Sequence, residues 1–484
     1  MFVGIDLGTS AVKLLLMEES GRVVGTQSET YPLSFPKPGF SEQNPNDWFS
    51  QTKVGLKKLL EANGNPSVDA LAIAGQMHGL VVLDENDEVI RPAILWNDGR
   101  AVEETEYLNC EIGTQTLSAR TGNIAFAGFT APKLLWLKKV EPENFARIKK
   151  IMLPKDFLVY KLSGAFSSDY SDASGTLFLD VKNKCWSEEM LTLCGIEKKQ
   201  LPKLYESYEV VGQVQAKIKT ELGLKGEALV AAGAGDNAAA AVGTGAVGNA
   251  KCNLSLGTSG TIFITSEKFL VDKKNSLHAF AHADGHFHLM GCMLSAASCN
   301  KWFMDEILRE KDYAAAQAEI KTLGENKVFF LPYLMGERSP HNDSLVRAMF
   351  YGMSLNTKRS DMYQSVLEGV AYGLRDSLEV ARSMGLIINS ATLCGGGAKS
   401  PLWRTILANV LNLQLNLPET EEGPSLGAAI LAARATGVYP SLTEATEKII
   451  KIKETQTPEK DLAEKYDEGY AFFKKLYPAI KPCR

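Results

Sequence analysis

Short apolar runs alternate along this chain with longer segments whose apolar residues recur at helical spacing. The apolar runs predict β-strands at residues 2–7, 12–17, 22–31, 68–74, 80–83, 93–95, 228–232, 253–264 around a turn, and 391–394. The longer segments predict helices at 48–62 with a start at 44–48, at 134–137 with Pro132 in the first turn, at 236–243, 295–303 and 361–385, and at 401–411 after Ser400 as N-cap. Further helices are predicted from Leu153 and Gly423, and terminal helices beyond Leu442. Polar loops are predicted at 168–175 and 331–341. The alternation of strands and helices indicates an α/β protein.

The first two strands form a β-hairpin whose tip consists of small residues, Gly8-Thr9-Ser10. Such a tip can direct backbone N–H groups and hydroxyls at phosphate oxygens. Asp6 stands at the end of the first strand, where a carboxylate could hold a hydrated divalent cation against those phosphates. Many ordinary hairpins have the same composition, so this signal alone is weak.

A second copy of this pattern makes the phosphate-binding interpretation stronger. Leu256-Gly257-Thr258-Ser259 repeats Leu7-Gly8-Thr9-Ser10 in the second half of the chain, with apolar runs on both sides. Ser255 stands where the first copy has Asp6, so the acidic function is not duplicated. The repeat suggests two related domains facing each other across a nucleotide.

Two consecutive strands end in polar loops flanked by glycine. Ligands of open α/β sheets bind beyond the carboxyl ends of the strands. The candidates to line one pocket are therefore Gln76, Met77, His78, Asn97, Asp98 and Arg100. His78 could instead be a satisfied structural histidine, and Asp98 with Arg100 could be a surface ion pair.

Asp236 and Asn237 begin an Ala-rich helix directly after a glycine turn. Asp and Asn are also favoured helix N-caps, so a purely structural role is an alternative. Gly233 and Gly235 clear space around the carboxylate, which favours a functional Asp236 facing the cleft. A second glycine turn, Gly395-Gly396-Gly397, opens another helix and is a ready site for nucleotide groups.

Composition narrows the class of protein. A chain of 484 residues is too long for one core, so two large domains are expected. The net charge of −5 and the lack of a long basic run argue against nucleic acid as a partner, and no stretch is apolar enough for a membrane. The eight cysteines form no C-x-x-C pair, which favours free thiols in a reducing cytoplasm. The spacing of His278, His282, His286 and His288 matches no common zinc pattern, so metal binding there is not favoured.

Taken in order, these pieces resemble the FGGY carbohydrate kinases over nearly the whole chain. Residues 128–136 resemble the first signature of that family, and residues 350–353 through 367–370 resemble the second. The resemblance implies two ribonuclease-H-like (actin-like ATPase) domains facing each other across a catalytic cleft. We expect an N-terminal domain over 1–245, a C-terminal domain over 246–440 and a helical tail over 441–484. Residues 75–79, 96–100 and 336–341 look most like family members that phosphorylate D-xylulose.

The resemblance also implies an activity, transfer of phosphate from ATP to D-xylulose with Mg²⁺. Asp236 would be the general base, and Asp6 and Asp236 would hold the metal through water. The residues implied for the sugar are Gln76, Met77, His78, Trp96, Asp98, Asp236 and Asn237. Those implied for the nucleotide are Gly8, Thr9, Ser10, Lys13, Gly257, Thr258, Ser259, Gly396, Gly397, Ala398 and Asn409. A homodimer is a further hypothesis from the resemblance.

Two alternatives remain at this stage. The first is a kinase for another pentulose or polyol, such as ribulose, L-xylulose or glycerol, because one pocket residue can change selectivity. The second is a non-catalytic, actin-like sugar sensor that binds ATP without transferring phosphate. The presence of both Asp6 and Asp236 argues against the sensor, which needs neither carboxylate.

Overall fold

The computed structural model describes residues 1–420 and 422–483, which form mixed sheets covered by helices. The strands are β1 (Phe2–Leu7), β2 (Ala11–Met17), β3 (Val23–Thr30), β4 (Glu42–Gln43), β5 (Ala70–Gly75), β6 (Val81–Leu83), β7 (Ala93–Ile94), β8 (Lys150–Met152), β9 (Ser167–Asp169), β10 (Leu179–Asp180), β11 (Cys185–Trp186), β12 (Lys203–Tyr205), β13 (Val210–Gln213), β14 (Leu229–Ala231), β15 (Ala234–Gly235), β16 (Cys252–Leu256), β17 (Gly260–Ser266), β18 (His278–Ala281), β19 (Phe287–Met293), β20 (Phe329–Leu331), β21 (Met349–Tyr351), β22 (Ser390–Cys394), β23 (Gln414–Pro418) and β24 (Ile452–Gln456).

The α-helices follow the strands in alternation through most of the chain. They are α1 (Pro45–Ala62), α2 (Val102–Glu106), α3 (Thr114–Thr121), α4 (Thr130–Val140), α5 (Pro142–Ala146), α6 (Pro154–Ser163), α7 (Tyr170–Ala173), α8 (Glu188–Cys194), α9 (Ala216–Leu222), α10 (Asp236–Gly243), α11 (Ala297–Trp302), α12 (Tyr313–Ala318), α13 (Arg359–Ser383), α14 (Pro401–Leu411), α15 (Gly423–Ala435), α16 (Leu442–Ile449) and α17 (Lys460–Ile480). Within the described part of the chain, no helix is both long enough and apolar enough to cross a membrane.

Two large sheets share one strand order, which confirms the predicted internal repeat. Written from corresponding edges, the first sheet runs β3-β2-β1-β5-β14-β13, and the second runs β19-β17-β16-β22-β23-β24. The second sheet has β18 as an additional strand beyond β19. In each sheet the central strand, β1 or β16, pairs antiparallel with its hairpin partner and parallel with β5 or β22. The two Gly-Thr-Ser tips therefore occupy equivalent places in two related sheets.

Local capping sets several helix boundaries. Helix α1 starts at Pro45, within the predicted start at residues 44–48, because the Asn44 side chain accepts from Asn46 N at 3.1 Å. Helix α14 starts as predicted, with the Ser400 hydroxyl accepting from Trp403 N at 3.1 Å. The predicted terminal helices are present as α16 and α17, but the exposed edge strand β24 between them was not predicted.

The prediction of a polar loop at 168–175 is wrong. This segment is buried and contains the end of β9, the short helix α7 and a 3-10 turn. Helix α7 begins there because the Asp169 carboxylate accepts from Ser171 N at 2.9 Å. The Ser and Asp side chains that suggested a loop are instead buried, and among them Ser171 Oγ donates to Asp169 Oδ2 at 2.5 Å.

The two halves of the chain are joined by a close crossing of α10 and α15. Helix α15 lies between β23 and β24 of the second sheet in sequence but packs on β1 and β5 of the first sheet. A Cβ atom added to Gly4 would lie 1.8 Å from Ser425 O, and one added to Gly427 would lie 1.8 Å from Ala239 O. Glycine is therefore required at both positions because the backbones touch.

We expect Gly427→Ala to destabilise the protein by about 3 kcal/mol or more, above the usual cost of overpacking, because the obstacle is backbone. Urea unfolding would measure this free energy. Gly423→Ala on the same helix is the control, since its Cβ would lie 3.6 Å from Ala240 Cβ, an ordinary contact. Equal stability of the two variants would contradict the close crossing.

Candidate active site

The tip of the first hairpin is anchored to the surrounding loops by its carbonyl groups. Gln43 Nε2 donates to Thr9 O at 2.6 Å, and Gln76 Nε2 donates to Gly8 O at 3.4 Å. The two glutamines also bond to each other at 3.1 Å, and Trp96 Nε1 donates to Thr9 Oγ1 at 2.9 Å. Turning the carbonyls inward is the arrangement required if the N–H groups of the tip are to face an anion.

Sequence reasoning missed Gln43 and Tyr31, which help to hold this tip. The Tyr31 hydroxyl donates to Gly8 O, and Gln43 also accepts from Trp48 Nε1 at 3.0 Å. Gln43 lies in the two-residue strand β4, far from the hairpin in sequence. No local pattern marks it, because only the folded chain brings it to the tip.

Lys13, predicted near the phosphates, projects from β2 and forms an ion pair with Glu422. Its Nζ lies 2.6 Å from Glu422 Oε2, immediately before α15. Both side chains remain partly exposed. The pair links the first hairpin to the helix that crosses from the second half of the chain.

Asp6 and Asp236 form a pair of interacting carboxylates at the ends of β1 and β15. Burial, followed by the negative charge of Asp236, raises the pKa of Asp6 to about 7. Burial raises the pKa of Asp236 to about 6, while hydrogen bonds from Asn237 oppose this shift. Asp236 Oδ1 accepts from Asn237 N at 2.7 Å and from Asn237 Nδ2 at 2.9 Å. Gly235 occupies the N-cap of α10, so Asp236 is the first helical residue and not the cap.

These two carboxylates fit a magnesium ion only if further oxygen ligands come from outside the chain. Mg²⁺ prefers six oxygens and usually combines one or two carboxylates with water and substrate phosphates. In the described residues there is no cluster of three or more His, Cys, Asp or Glu that could hold a metal ion. The charge repulsion between Asp6 and Asp236 is the kind of strain that a bound cation relieves.

The histidines of the second sheet pack in ways that explain them without a metal. His288 stacks on Phe263 with ring centroids 3.9 Å apart, and His278 stacks on Phe280 at 5.4 Å. One ring nitrogen of His282, Nε2, lies 3.0 Å from Ala246 O. Burial lowers the pKa of His278, His282 and His288, so these imidazoles are neutral.

Met77 and His78 lie next to the Asp236 helix start. Asn237 Nδ2 is 3.9 Å from Met77 Sδ. The His78 ring stacks on Phe129 with centroids 4.5 Å apart, and its Nδ1 lies 2.7 Å from Gly175 O. A carbonyl partner requires Nδ1 to carry the proton, so Nε2 is an acceptor. Burial lowers the pKa of His78 to about 3, which keeps the ring neutral at physiological pH.

The backbone of His78 is held in an uncommon conformation by two neighbours. Its φ is +69°, a left-handed value that costs energy for a residue other than glycine. The Thr130 hydroxyl and Nζ of the buried Lys133 donate to His78 O at 3.0 and 3.1 Å. Strain maintained by such contacts is typical of a functional position. It favours the binding role of His78 over the structural alternative.

Asp98 and Arg100 form an ion pair, one of the two alternatives from the sequence. The pair is buried and not on the surface, with two contacts of 2.8 Å between the carboxylate and the guanidinium. Ser41 N also donates to Asp98 Oδ2 at 2.5 Å. Both oxygens of Asp98 thus hold the loop that presents Trp96, and a sugar contact of Asp98 stays a prediction.

A cavity of about 700 Å³ joins the second hairpin tip to the glycine turn before α14. It is lined by Gly257, Thr258, Gly396 and Gly397, whose predicted contact with the nucleotide stays a prediction. Ser259 and Ala398 lie in the same turns but do not line it. Lining residues that sequence reasoning missed come from α11, α12 and the start of α14 and include Asn300, Lys301, Tyr313, Gln317 and Trp403.

Asn409 is not brought to this cavity. It is fully buried, its Nδ2 donates to Thr405 O at 2.8 Å, and its Oδ1 accepts from Glu459 N at 2.7 Å. The amide nitrogen therefore bonds within α14, and the amide oxygen ties α14 to the start of α17. A nucleoside contact would require these bonds to break.

A fully buried lysine lies behind the peptide that carries Asp236. Lys155 Nζ is 2.7 Å from Asp156 Oδ1, 3.1 Å from Asp169 Oδ1 and 3.1 Å from Ala232 O. Asp169 in turn accepts from Ser171 Oγ at 2.5 Å, and Ser171 Oγ accepts from Gly235 N at 3.1 Å. This network, the Lys155 cluster, fixes the turn from which Asp236 projects.

The duplicated sheets, their paired hairpin tips and the carboxylates between them define a two-domain protein of the actin-like ATPase fold. Residues 1–243 match the N-terminal domain and residues 252–436 the C-terminal domain of the FGGY family of carbohydrate kinases. The chain belongs to this family, whose members use ATP to phosphorylate sugars.

Individual relatives cover the whole chain. The xylulose kinase of Escherichia coli strain K12 is 41% identical, covering 100% of this chain and 99% of its own. The crystal structure of a kinase from Brucella ovis, described as a xyloylose kinase, has 40% identity and a TM-score of 0.95 over 100% of this chain and 99% of its own. A gluconate kinase from Lactobacillus acidophilus has 26% identity and a TM-score of 0.94 over 99% of this chain and 98% of its own.

Proposed function

We propose that this protein transfers the γ-phosphoryl group of ATP to D-xylulose and produces D-xylulose 5-phosphate and ADP. The observation that carries the proposal is the Asp6–Asp236 carboxylate pair, placed between a phosphate-type hairpin and the Met77–His78 strand end. The full-length similarity to xylulose kinases supports the choice of sugar.

Asp236 acts as general base in this proposal. Its carboxylate accepts the proton of the C5 hydroxyl while that oxygen bonds to the γ-phosphorus. The bond from the γ-phosphorus to the β,γ-bridging oxygen breaks, and its electron pair leaves with ADP. A pKa of about 6 leaves Asp236 mostly ionised at neutral pH and still basic enough to accept a proton.

Mg²⁺ would be held through water by Asp6 and Asp236 and would neutralise charge on the phosphates. In this proposal the chain contributes Lys13 and the two hairpin tips, 8–10 and 257–259, to the phosphates. The Gly8 N–H itself donates to Ala11 O at 3.1 Å, so the first tip would act through the groups of Thr9 and Ser10. The cavity of about 700 Å³ would take the nucleoside. The homodimer hypothesis stays a prediction that light scattering would test.

His78, Met77 and Asn237 bind the sugar in this proposal. The neutral Nε2 of His78 accepts a hydrogen bond from a sugar hydroxyl, because Nδ1 is already engaged by Gly175 O. Met77 supplies an apolar wall, and the Asn237 amide lies beside both Met77 and Asp236. Gln76 lies behind the hairpin tip, where its buried Oε1 has no hydrogen-bond partner among residues 1–420 and 422–483.

ADP formation measured with D-xylulose, L-xylulose, D-ribulose, L-ribulose, D-gluconate, glycerol and no sugar tests the proposal. We expect kcat/KM for D-xylulose to exceed that of every other sugar by at least about tenfold, and little turnover without sugar. A preference for another sugar would overturn the substrate assignment and retain the kinase. Binding of ATP and sugar without any product would instead favour the sugar sensor.

A further inference from the structure

Arg338 is a cation whose head group has no carboxylate partner in the described part of the chain, although it is half-buried. It belongs to the loop after β20, in the second half of the protein. Its guanidinium lies over the ring of Phe126, which comes from the first half, at 5.2 Å from the centroid. Removing a guanidinium partly from water without an acceptor is costly, so such an arrangement needs an explanation.

Hydrogen bonds hold the backbone around Arg338, whereas its guanidinium makes no hydrogen bond within the described part of the chain. Glu337 Oε1 accepts from Leu294 N at 3.0 Å and from Arg338 N at 2.8 Å. The next residue, Ser339, donates its N–H to Cys292 O at 3.0 Å. A rigidly held backbone that presents unused donors is typical of a binding residue.

A chain of contacts places Arg338 on the sugar side of the site, away from Asp236. Phe126 contacts Phe129 with centroids 5.4 Å apart, and Phe129 stacks on His78. Asp236 lies at the other end of this series, beyond Met77 and Asn237. The positive charge of Arg338 also contributes to the lowered pKa of His78, although burial is the larger cause.

We propose that the Arg338 guanidinium donates hydrogen bonds to the C1 hydroxyl and C2 carbonyl oxygens of the sugar. This inference rests on the proposed function, because it takes the C5 hydroxyl to lie at Asp236. A pentulose bound that way extends toward His78 and brings its ketone end to the aromatic rings beneath Arg338. The planar fork of a guanidinium matches two adjacent oxygen acceptors. The second half of the protein thereby closes the sugar site of the first.

The alternative is that Arg338 only packs on Phe126. A cation–π contact stabilises by itself and would make Arg338 a contact between the two halves of the chain. The two explanations predict different effects on sugar affinity. If Arg338 only packs on Phe126, its mutation weakens binding equally whether or not the sugar has a C1 hydroxyl. If Arg338 bonds to that hydroxyl, the loss is larger for the sugar that has it.

The test compares D-xylulose with 1-deoxy-D-xylulose, which lacks the C1 hydroxyl, in wild type and Arg338→Gln. Calorimetric titration gives both dissociation constants, and steady-state kinetics gives KM for ATP. We expect the variant to bind D-xylulose about 10- to 100-fold more weakly, the range for hydrogen bonds to a charged group. The loss with 1-deoxy-D-xylulose should be at least about threefold smaller, as expected for coupled groups. KM for ATP should remain within about twofold, because Arg338 is outside the nucleotide cavity.

Two further variants keep the result interpretable. Arg338→Lys retains the charge without the planar fork, and we expect it to lie between wild type and Arg338→Gln. Phe126→Leu removes the ring beneath the guanidinium but leaves the donors, and its losses should be equal for the two sugars. The melting temperature of each variant identifies any that does not fold.

Unchanged binding of D-xylulose by Arg338→Gln, or equal losses of affinity for both sugars, would overturn the role of Arg338. The proposed kinase activity would still stand if the wild type phosphorylates D-xylulose. Failure of the wild type itself to bind or phosphorylate D-xylulose would overturn the proposed function, and the Arg338 contact with it. Failure of the Arg338 proposal would therefore appear in the Arg338→Gln variant, and failure of the proposed function would appear in the wild type.

Discussion

Asp236→Asn should lower kcat with D-xylulose by at least about 100-fold while leaving sugar binding nearly unchanged. General bases typically contribute a factor of about 10²–10⁴, and the amide cannot accept the proton. Asparagine retains an oxygen that can accept from Asn237 N, so the start of α10 should keep its geometry. Single-turnover ADP formation would measure the chemical step, and calorimetry would measure sugar affinity.

The control for this variant is Asp47→Asn. Asp47 also lies in the first turn of a helix, α1, and so experiences the same favourable interaction with the helix dipole. We expect its turnover to equal that of wild type. Near-normal turnover of Asp236→Asn would remove Asp236 from the role of base, and equal losses in both variants would point to helix stability.

Lys155→Met should destabilise the protein by about 3–5 kcal/mol, the usual cost of removing one partner from a buried ion pair. Burial alone would lower the pKa of Lys155, but the charges of Asp156, Asp169 and Asp172 raise it above its ordinary value. Methionine would leave these carboxylates without their cation in a region that excludes water. Urea unfolding would measure the free energy, and kcat of the folded fraction should also fall because the cluster supports the Asp236 turn.

Lys465→Met is the matched control for this measurement. Lys465 also forms an ion pair at 2.7 Å, with Glu325, but both side chains are about half exposed. Surface pairs contribute about 0–1 kcal/mol, so this variant should unfold at nearly the same urea concentration as wild type. If Lys155→Met were as stable as Lys465→Met, the Lys155 cluster would not be the support inferred here.

Local pattern was a good guide to the elements of this fold and a partial guide to its site. The predicted strands, the predicted helices and both hairpins follow from short stretches of sequence, and the structure contains them. Other elements, such as β13, β18 and β23, were not predicted. The buried segment 168–175 was misread because its polar residues lie inside the protein, where Ser171 bonds to Asp169, and no periodicity reveals this. The same limitation hid the part that Lys155 plays behind Asp236.

Within the site, the structure separates residues that the sequence placed together. Gly257 and Gly396 meet in one cavity, as their glycine turns suggested. Asn409 lies in the neighbouring helix but is turned into the interior, because its amide bonds both α14 and the start of α17. One helical position of difference decides which side of a helix a residue faces.

By itself, the sequence determined the class of protein. The features that indicate this class are short continuous stretches: the Leu-Gly-Thr-Ser repeat, the segments around Asp6 and Asp236, and the two family signatures. Only the tertiary structure decided which groups support those acids and what else reaches the sugar. Gln43, Lys155 and Arg338 come from distant segments, and each acquires its role through burial or contact with residues far away in the chain. Local periodicity records which side of an element is buried, but not what it is buried against.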